Sequence, residues 1–432
     1  MSKTFRFACI FAFCSTLSQA GEPSPLSSSS PLPAVTTSAA ANTPPLRAEG
    51  RLRKNVDFWI RIYSQYTTSQ GLIHDAKYID IIYEVMDFQS ARRSQGRMIR
   101  EAKNRYKSIL LAIHRKQSKP DFLGSLNDEE KRVVQLYKDV NEPNKFLNAA
   151  HRKRMRFQLG QKDRFLEGLH ESGRYLPAME EIFRREGLPV ELTRLPFVES
   201  SFNTKARSKV GASGIWQFMP STGRTFLAVN HTVDERNDPL RATEAAAQLL
   251  KVNYDSLKSW PLAITAYNHG RMGMLRAVAK VGSENMDEIV SDYKSRTFGF
   301  ASSNFFTELL AAIECERNSE KYFGKVARAP ALQFVEVQIP DSIKLTELSK
   351  FLKVDKAQVR SLNPGLSDAI ISGHTLLPAT YHLRLPYDST LSKEGQVRVF
   401  LAGYEQIPGI YKQKRHGRPI YGRSKSQKTE SL

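Results

Sequence analysis

Apolar side chains recur at helical spacing along most of this chain, and only a few short stretches alternate as strands do. Phe58, Trp59, Ile62 and Tyr63 fall on one side of a helix. Residues 78–88 are β-branched and aromatic, which suits a short strand or hairpin. Residues 90–116 make a long basic amphipathic pattern, with Met98, Ala102, Tyr106, Ile109, Leu110 and Ile113 on one side. Asn127, followed by Asp128, Glu129 and Glu130, predicts the start of another helix. Residues 174–186 predict a helix closed by Gly187-Leu188-Pro189. Pro189-Val190-Glu191 opens the next one, expected to run to about Ser201 with Pro196 as a bend. Residues 209–214 hold two glycines and predict a loop. Residues 244–257, 261–268 and 305–317 carry the spacing of core helices.

Beyond residue 330 the pattern changes. Phe334-Val335-Glu336-Val337-Gln338-Ile339 alternates like a strand. Residues 345–352 and 356–362 read as short helices, followed by the turn Asn363-Pro364-Gly365. Tyr381-His382-Leu383-Arg384-Leu385-Pro386 is a second strand. The fold class is therefore mainly α, with some β. The expected divisions are a signal peptide (1–20), a linker (21–50), a helical N-terminal region (51–168), a compact helical domain (169–325), a small β-α-α-β module (330–388) and a polar, basic tail (389–432), read as disordered. The linker is rich in Ser, Pro, Ala and Thr and has too few large apolar side chains to build a core.

At 432 residues, two or three domains are expected. Lys and Arg number 64 against 44 Asp and Glu, a net charge of +20, which attracts polyanions: nucleic acid, anionic lipid or acidic wall polymer. No zinc-finger, helicase or RNA-binding signature favours nucleic acid. Lys3 and Arg6 precede an apolar stretch over 7–17, and Ser18-Gln19-Ala20 suits a cleavage site, so export to the periplasm or cell envelope is expected. Loss of residues 1–20 leaves 62 basic against 44 acidic side chains, a net +18. Cys14 invites a lipoprotein reading, but Phe13 stands where such a signal wants a small residue. Cys9 and Cys14 would leave with the signal, and Cys315 reads as a small core residue. The nine histidines do not pair with Cys or acids at ligand spacing, so no metal or cofactor is expected.

Candidate chemistry centres on Glu199, in Leu195-Pro196-Phe197-Val198-Glu199-Ser200-Ser201-Phe202. Apolar neighbours strip a carboxylate of water and favour its neutral form, and the end of a helix adds to that push. A carboxylic acid kept protonated near neutral pH can donate a proton to a leaving oxygen. Two further segments follow, Gly214-Ile215-Trp216-Gln217-Phe218-Met219-Pro220 and Ala266-Tyr267-Asn268-His269-Gly270. They offer the aromatic faces, amides and hydroxyls that a sugar site needs.

Glu-Ser-Ser-Phe, Gly-Ile-Trp-Gln and Ala-Tyr-Asn, in this order and spacing, resemble the signatures of the soluble-lytic-transglycosylase type of murein lytic enzyme. The resemblance is best over about residues 170–320. It implies a lysozyme-like helical catalytic domain acting on peptidoglycan glycan strands as a monomer, with membrane association left open. It also implies a mechanism with Glu199 as sole acid. The substrate's 2-acetamido carbonyl would attack C1 while Glu199 protonates the bridging oxygen. Glu199 would then take the proton of the muramoyl 6-hydroxyl, giving a 1,6-anhydro end without water. Ser200, Ser208, Gln217, Met219, Tyr267 and Asn268 are the substrate-binding positions it implies. Ser200 also suits a back-bond to its helix, Met219 suits core packing, and Trp216 suits either a sugar platform or the core. The 330–388 module resembles LysM, a carbohydrate-binding fold, though its opening turn is degenerate; a structural cap is the alternative. Relatives often carry a late tyrosine near the acid, where this chain reads Asn304-Phe305-Phe306. Tyr293 and Tyr322 are the candidates to replace it.

Two rivals stand beside this reading. One is a hydrolase like goose-type lysozymes, which would need a second carboxylate near Glu199 to activate water. The other is a non-catalytic wall-binding protein. A structural salt bridge of Glu199 with Arg194 or Arg207 would remove the acid altogether.

Overall fold

The computed structural model describes residues 46–89, 94–404, 406–407 and 410–411. The expected signal peptide, most of the linker and residues 412–432 of the expected tail lie outside them. The described residues form two compact units: those up to Val229 with Glu235–Leu332, and Asn230–Asp234 with those from Gln333 onward.

In the first unit the chain begins with α1 (Gly50–Ser64), which buries Phe58, Trp59, Ile62 and Tyr63 as the spacing predicts. Next come β1 (Gln70–Asp75), β2 (Ile82–Asp87), α2 (Gln95–Lys116), α3 (Asp128–Leu136), α4 (Lys145–Ala149) and β3 (Met155–Leu159). The strands form an antiparallel sheet in the order β2-β1-β3, with Ile73 opposite Glu84 on one side and Phe157 on the other. Helix α3 starts at the expected Asn127 cap, whose side chain accepts from Glu130 N at 2.9 Å while Glu130 returns a bond to Asn127 N. Of the sheet, only β2 falls in the stretch that reads as strand. Strand β1 is buried at five of its six positions, so it shows no alternation, and β3 is only five residues long.

The rest of this unit is helical: α5 (Lys162–Ser172), α6 (Leu176–Arg185), α7 (Leu195–Glu199), α8 (Pro220–Phe226), α9 (Pro239–Leu257), α10 (Trp260–His269), α11 (Arg271–Val281), α12 (Met286–Asp292), α13 (Phe300–Arg317) and α14 (Ser319–Phe323). The single helix expected over 189–201 is instead a 3-10 turn, Val190–Arg194, followed by the short α7. Pro196 sits in the first turn of α7, where its missing N–H is not needed, so it starts this helix rather than bending a longer one. Helix α13 is the hub: α1, α7 and α10 all pack on it.

In the second unit β4 (Phe334–Gln338) pairs antiparallel with β6 (His382–Pro386), Val335 opposite Leu385 and Val337 opposite Leu383. Between them lie β5 (Ser342–Ile343), α15 (Leu345–Leu352), α16 (Lys356–Leu362) and α17 (Asp368–Ile371). Residues 393–404, read as tail, form α18 (Lys393–Tyr404), because Phe400 and Tyr404 bury into this unit's core with Val335, Val337 and Ile343. A short strand β7 (Ile410–Tyr411) pairs with β5. Segment 230–234 joins the same unit by backbone bonds from Asp234 N to Gly365 O (2.8 Å) and from Ser367 N to Thr232 O (2.9 Å).

Candidate active site

Glu199 is the last residue of α7 and only 7% exposed. Its apolar run places it there: Phe197 stacks on Phe165 of α5 at 4.6 Å and meets Phe202 edge-on at 4.7 Å, anchoring α7 from below. After Glu199 the chain reverses through Ser201 and Phe202, both left-handed at φ 52° and 57°. Such strain persists in non-glycine residues where the surroundings impose it. Gly168 of α5 makes the reversal possible, since a Cβ there would lie 2.8 Å from Ser201 O.

Glu199 lines a pocket of about 140 Å3. Trp59, Tyr63, Phe197, Val198, Phe300 and Phe305 give it apolar walls; Gln158, Gln161, Arg164, Ser200, Asn268 and a second acid, Glu308, add polar groups. Neither acid has an ion pair or side-chain hydrogen bond among the described residues. Arg194 is taken by Glu180 and Glu316, and Arg207 is exposed, so the salt bridge that would silence Glu199 is not formed. Burial, reinforced by the neighbouring Glu308, pushes the Glu199 carboxyl up to about 8. Burial also raises Glu308 to about 8.

The pocket brings together three of the sequence-derived residues, Glu199, Ser200 and Asn268. Ser200 Oγ donates to Ile215 O (2.9 Å) and weakly back to Pro196 O (3.3 Å), so its hydroxyl also ties α7 to the following motif. Asn268 Oδ1 accepts from Ser302 Oγ at 2.9 Å, which fixes the amide and leaves its N–H groups for a ligand. The other four do not line the pocket. Ser208 Oγ accepts from Ala212 N at 2.8 Å and shapes the 208–212 loop. Gln217, at φ 49°, turns its amide inward to Gly214 O (2.8 Å) and Ala206 O (3.2 Å). Met219 is 37% exposed just before α8. Tyr267 donates to Trp216 O at 2.8 Å, and its hydroxyl senses the charge of Glu199. Trp216 is core: fully buried, stacked on Phe183 at 6.0 Å, its Nε1 donating to Thr243 Oγ1 at 2.9 Å. Gly214 lets the chain run close to the backbone of Arg236, because a Cβ there would fall 1.8 Å from Arg236 O.

Tyr63 and Glu308 are the residues that sequence reasoning missed. Glu308 carries the same signal as Glu199, an acid inside an apolar run, Phe305-Phe306-Thr307-Glu308-Leu309-Leu310. Tyr63 reads as core, and nothing local reveals that it shares a pocket with two acids. Burial and the charges of Glu308, Cys315 and Glu199 raise its pKa well above the usual tyrosine value. The two tyrosines named in advance lie elsewhere. Tyr293 packs on His269 and Phe298, and Tyr322 bonds Glu314.

Comparison with known proteins agrees with these motifs. Residues 179–290 match the family model described as "Transglycosylase SLT domain". The chain is 24% identical over 191 residues to membrane-bound lytic murein transglycosylase D of Escherichia coli (strain K12), covering 44% of this chain and 42% of that relative. Less than half of the relative's length is thus spanned. Among solved structures, the 70 kDa soluble lytic transglycosylase Slt70 of Escherichia coli aligns at TM-score 0.29 and 18% identity, over 35% of this chain and 25% of that one. An inactive variant of the lytic transglycosylase Slt of Pseudomonas aeruginosa aligns at TM-score 0.29 and 16% identity, over 51% and 31%. The chain carries a transglycosylase SLT domain at residues 179–290.

Proposed function

We propose that this protein is a lytic transglycosylase that cleaves the β-1,4 bond between N-acetylmuramoyl and N-acetylglucosaminyl units of peptidoglycan, leaving 1,6-anhydromuramoyl ends. The observation that carries the reading is Glu199: a buried carboxyl, without an ion pair among the described residues, in a pocket with aromatic walls, where burial pushes its pKa up to about 8. Such a group is a proton donor to a glycosidic oxygen. The resulting carboxylate then accepts the proton of the 6-hydroxyl as that oxygen closes on C1. The acetamido carbonyl of the substrate supplies the first attack, and Asn268 orients that group. Tyr63, supplied by α1, takes the place of the late tyrosine that Phe305 and Phe306 cannot provide. The N-terminal region therefore completes the site with Trp59, Tyr63, Gln158, Gln161 and Arg164. Gln217, bonded to Gly214 O and Ala206 O, and Tyr267, bonded to Trp216 O, brace the backbone behind the pocket.

Hydrolysis is the second reading, because Glu308 is the second acid it requires. A base that activates water must be ionised at working pH. Burial raises the Glu308 carboxyl to about 8, so it is a poor base below that pH, which supports the non-hydrolytic route. The basic surface and the 330–388 module suit adhesion to an anionic wall, and the location we propose is the cell envelope. Among the described residues no helix is long and apolar enough to cross a membrane.

Dye-labelled murein sacculi incubated with wild type and Glu199→Gln test the reading. Wild type should release dye and the variant should bind sacculi without releasing it. Equal release by both would remove Glu199 from the chemistry, and no release by wild type would favour a wall-binding protein.

A further inference from the structure

The single-acid cycle leaves Glu308 unused. Ala301, Phe305 and Glu308 follow one another at spacings of four and three along α13, so they share one helix face, and that face lines the pocket. Helix α7 packs on the same helix and ends in Glu199. Two carboxyls from two helices thus meet in one cavity, beside the rings of Trp59, Tyr63, Phe197, Phe300 and Phe305. The neighbouring acids of α13 are otherwise employed: Glu316 pairs with Arg194 and Arg328, and Glu314 accepts from Tyr322. Glu308 has no such partner among the described residues. Both Glu308 and Tyr63 lie outside the matched domain, residues 179–290.

We propose that Glu308 is a positioning residue that acts through Glu199: the two carboxyls behave as a coupled pair in which the charge of one holds the proton on the other. The inference rests on the transglycosylase reading for its purpose, but not for its existence. Carboxylates crowded into a low-dielectric site resist a second ionisation, so protons leave in two steps that belong to the pair. When the first proton is lost as pH rises, the remaining negative charge opposes loss of the second. Glu199 stays an acid to higher pH than burial alone would keep it. In the chemical step its proton goes to the leaving oxygen, and it is restored from the 6-hydroxyl; Glu308 neither gains nor loses one.

The groups facing the pair are few. Tyr63 of α1, Tyr267 of α10 and Cys315 of α13 are neutral, each with its pKa raised chiefly by burial. Arg164 of α5 is the cation lining the pocket, and it bonds Gln161 Oε1 at 3.2 Å. From the 3-10 turn on α13, Glu191 and Arg194 are paired with Arg317 and Glu316. On α14, Tyr322 is bonded to Glu314. His269, at the end of α10, has its pKa lowered by burial and by Arg276, which favours its neutral form.

Two measurements test the pair. The first is the pH profile of murein cleavage by wild type and E308Q, each normalised to its own rate at pH 6. The basic limb of E308Q should fall at lower pH. A coupling of one unit makes it about tenfold less active than wild type, on that scale, well above the limb. Superimposable profiles would overturn the proposal. The second needs no activity: titration of carboxyl carbons by NMR in protein carrying 13C-labelled glutamate. Wild type should show two linked steps, E308Q a single Glu199 step at lower pH than the later wild-type step, and E199Q a matching downward move for Glu308. Independent titrations in wild type and either variant would refute the pair, even if E308Q alone failed to fold. A wild type that showed linked steps but no cleavage would sink the enzymatic reading and leave the pair standing.

Discussion

The Trp59 indole N–H donates to Oδ1 of Asn304 at 3.3 Å, and Asn55 Nδ2 shares that acceptor at 3.5 Å. This ties the first helix, which carries Tyr63, to the helix that carries Glu308. Asn304→Leu removes the acceptor and strands two buried donors, a cost of about 1–3 kcal/mol for each group left unpaired. Urea unfolding should show the loss, and cleavage should fall with it, because Trp59 and Tyr63 form one wall of the pocket.

Tyr63→Phe separates packing from the hydroxyl. The ring stacks on Phe165 at 5.1 Å, and the substitution keeps that contact. Melting temperature should change little while turnover drops. Unaltered turnover would mean that the tyrosine is wall and nothing more.

Removal of the buried acid should change how stability responds to pH. Burial first, and Glu308 second, raise the Glu199 carboxyl in the folded state to about 8. An unfolded glutamate titrates near its ordinary value, about 4.3. Between these limits the native state binds the extra proton, so folding loses stability as pH rises. Wild type should therefore weaken relative to Glu199→Gln between about pH 4.3 and about 8. Differential scanning calorimetry at several pH values reads the gap, which should widen upward through this window and level off above it.

Trp216 separates a sugar platform from core. Its ring is fully buried, stacked on Phe183 and bonded to Thr243. Trp216→Ala should cost about 3–5 kcal/mol of stability. Trp216→Phe should cost less and leave KM for murein fragments unchanged, whereas a sugar platform would raise KM.

Glu199 was legible in the sequence because a long apolar run around one acid admits few physical interpretations. The helices at 244–257, 261–268 and 305–317 were legible for the same reason: their apolar spacing persists over several turns. Strand β1 was not, since burial on both faces erases alternation. The helix expected over 189–201 broke because the prolines at 189 and 196 both favour helix starts, and two starts seven residues apart leave no room for one helix. Residues 393–404 looked like tail by charge, yet Phe400 and Tyr404 are enough to anchor a helix to a small core. Gln217 misses the pocket because left-handed backbone, at φ 49°, turns it inward, which local composition does not reveal. Glu308 carries the same local signal as Glu199, whereas the place of Tyr63 in the pocket depends on contacts between segments some 245 positions apart, as the Trp59–Asn304 bond illustrates.

The most direct measurement is digestion of murein in H2(18)O followed by mass spectrometry of the released sugars. Closure by the 6-hydroxyl gives muramoyl ends one water lighter and free of 18O. Reducing ends carrying 18O at C1 would mean that water is the nucleophile, and would contradict a proton donor that works with the substrate's own hydroxyl.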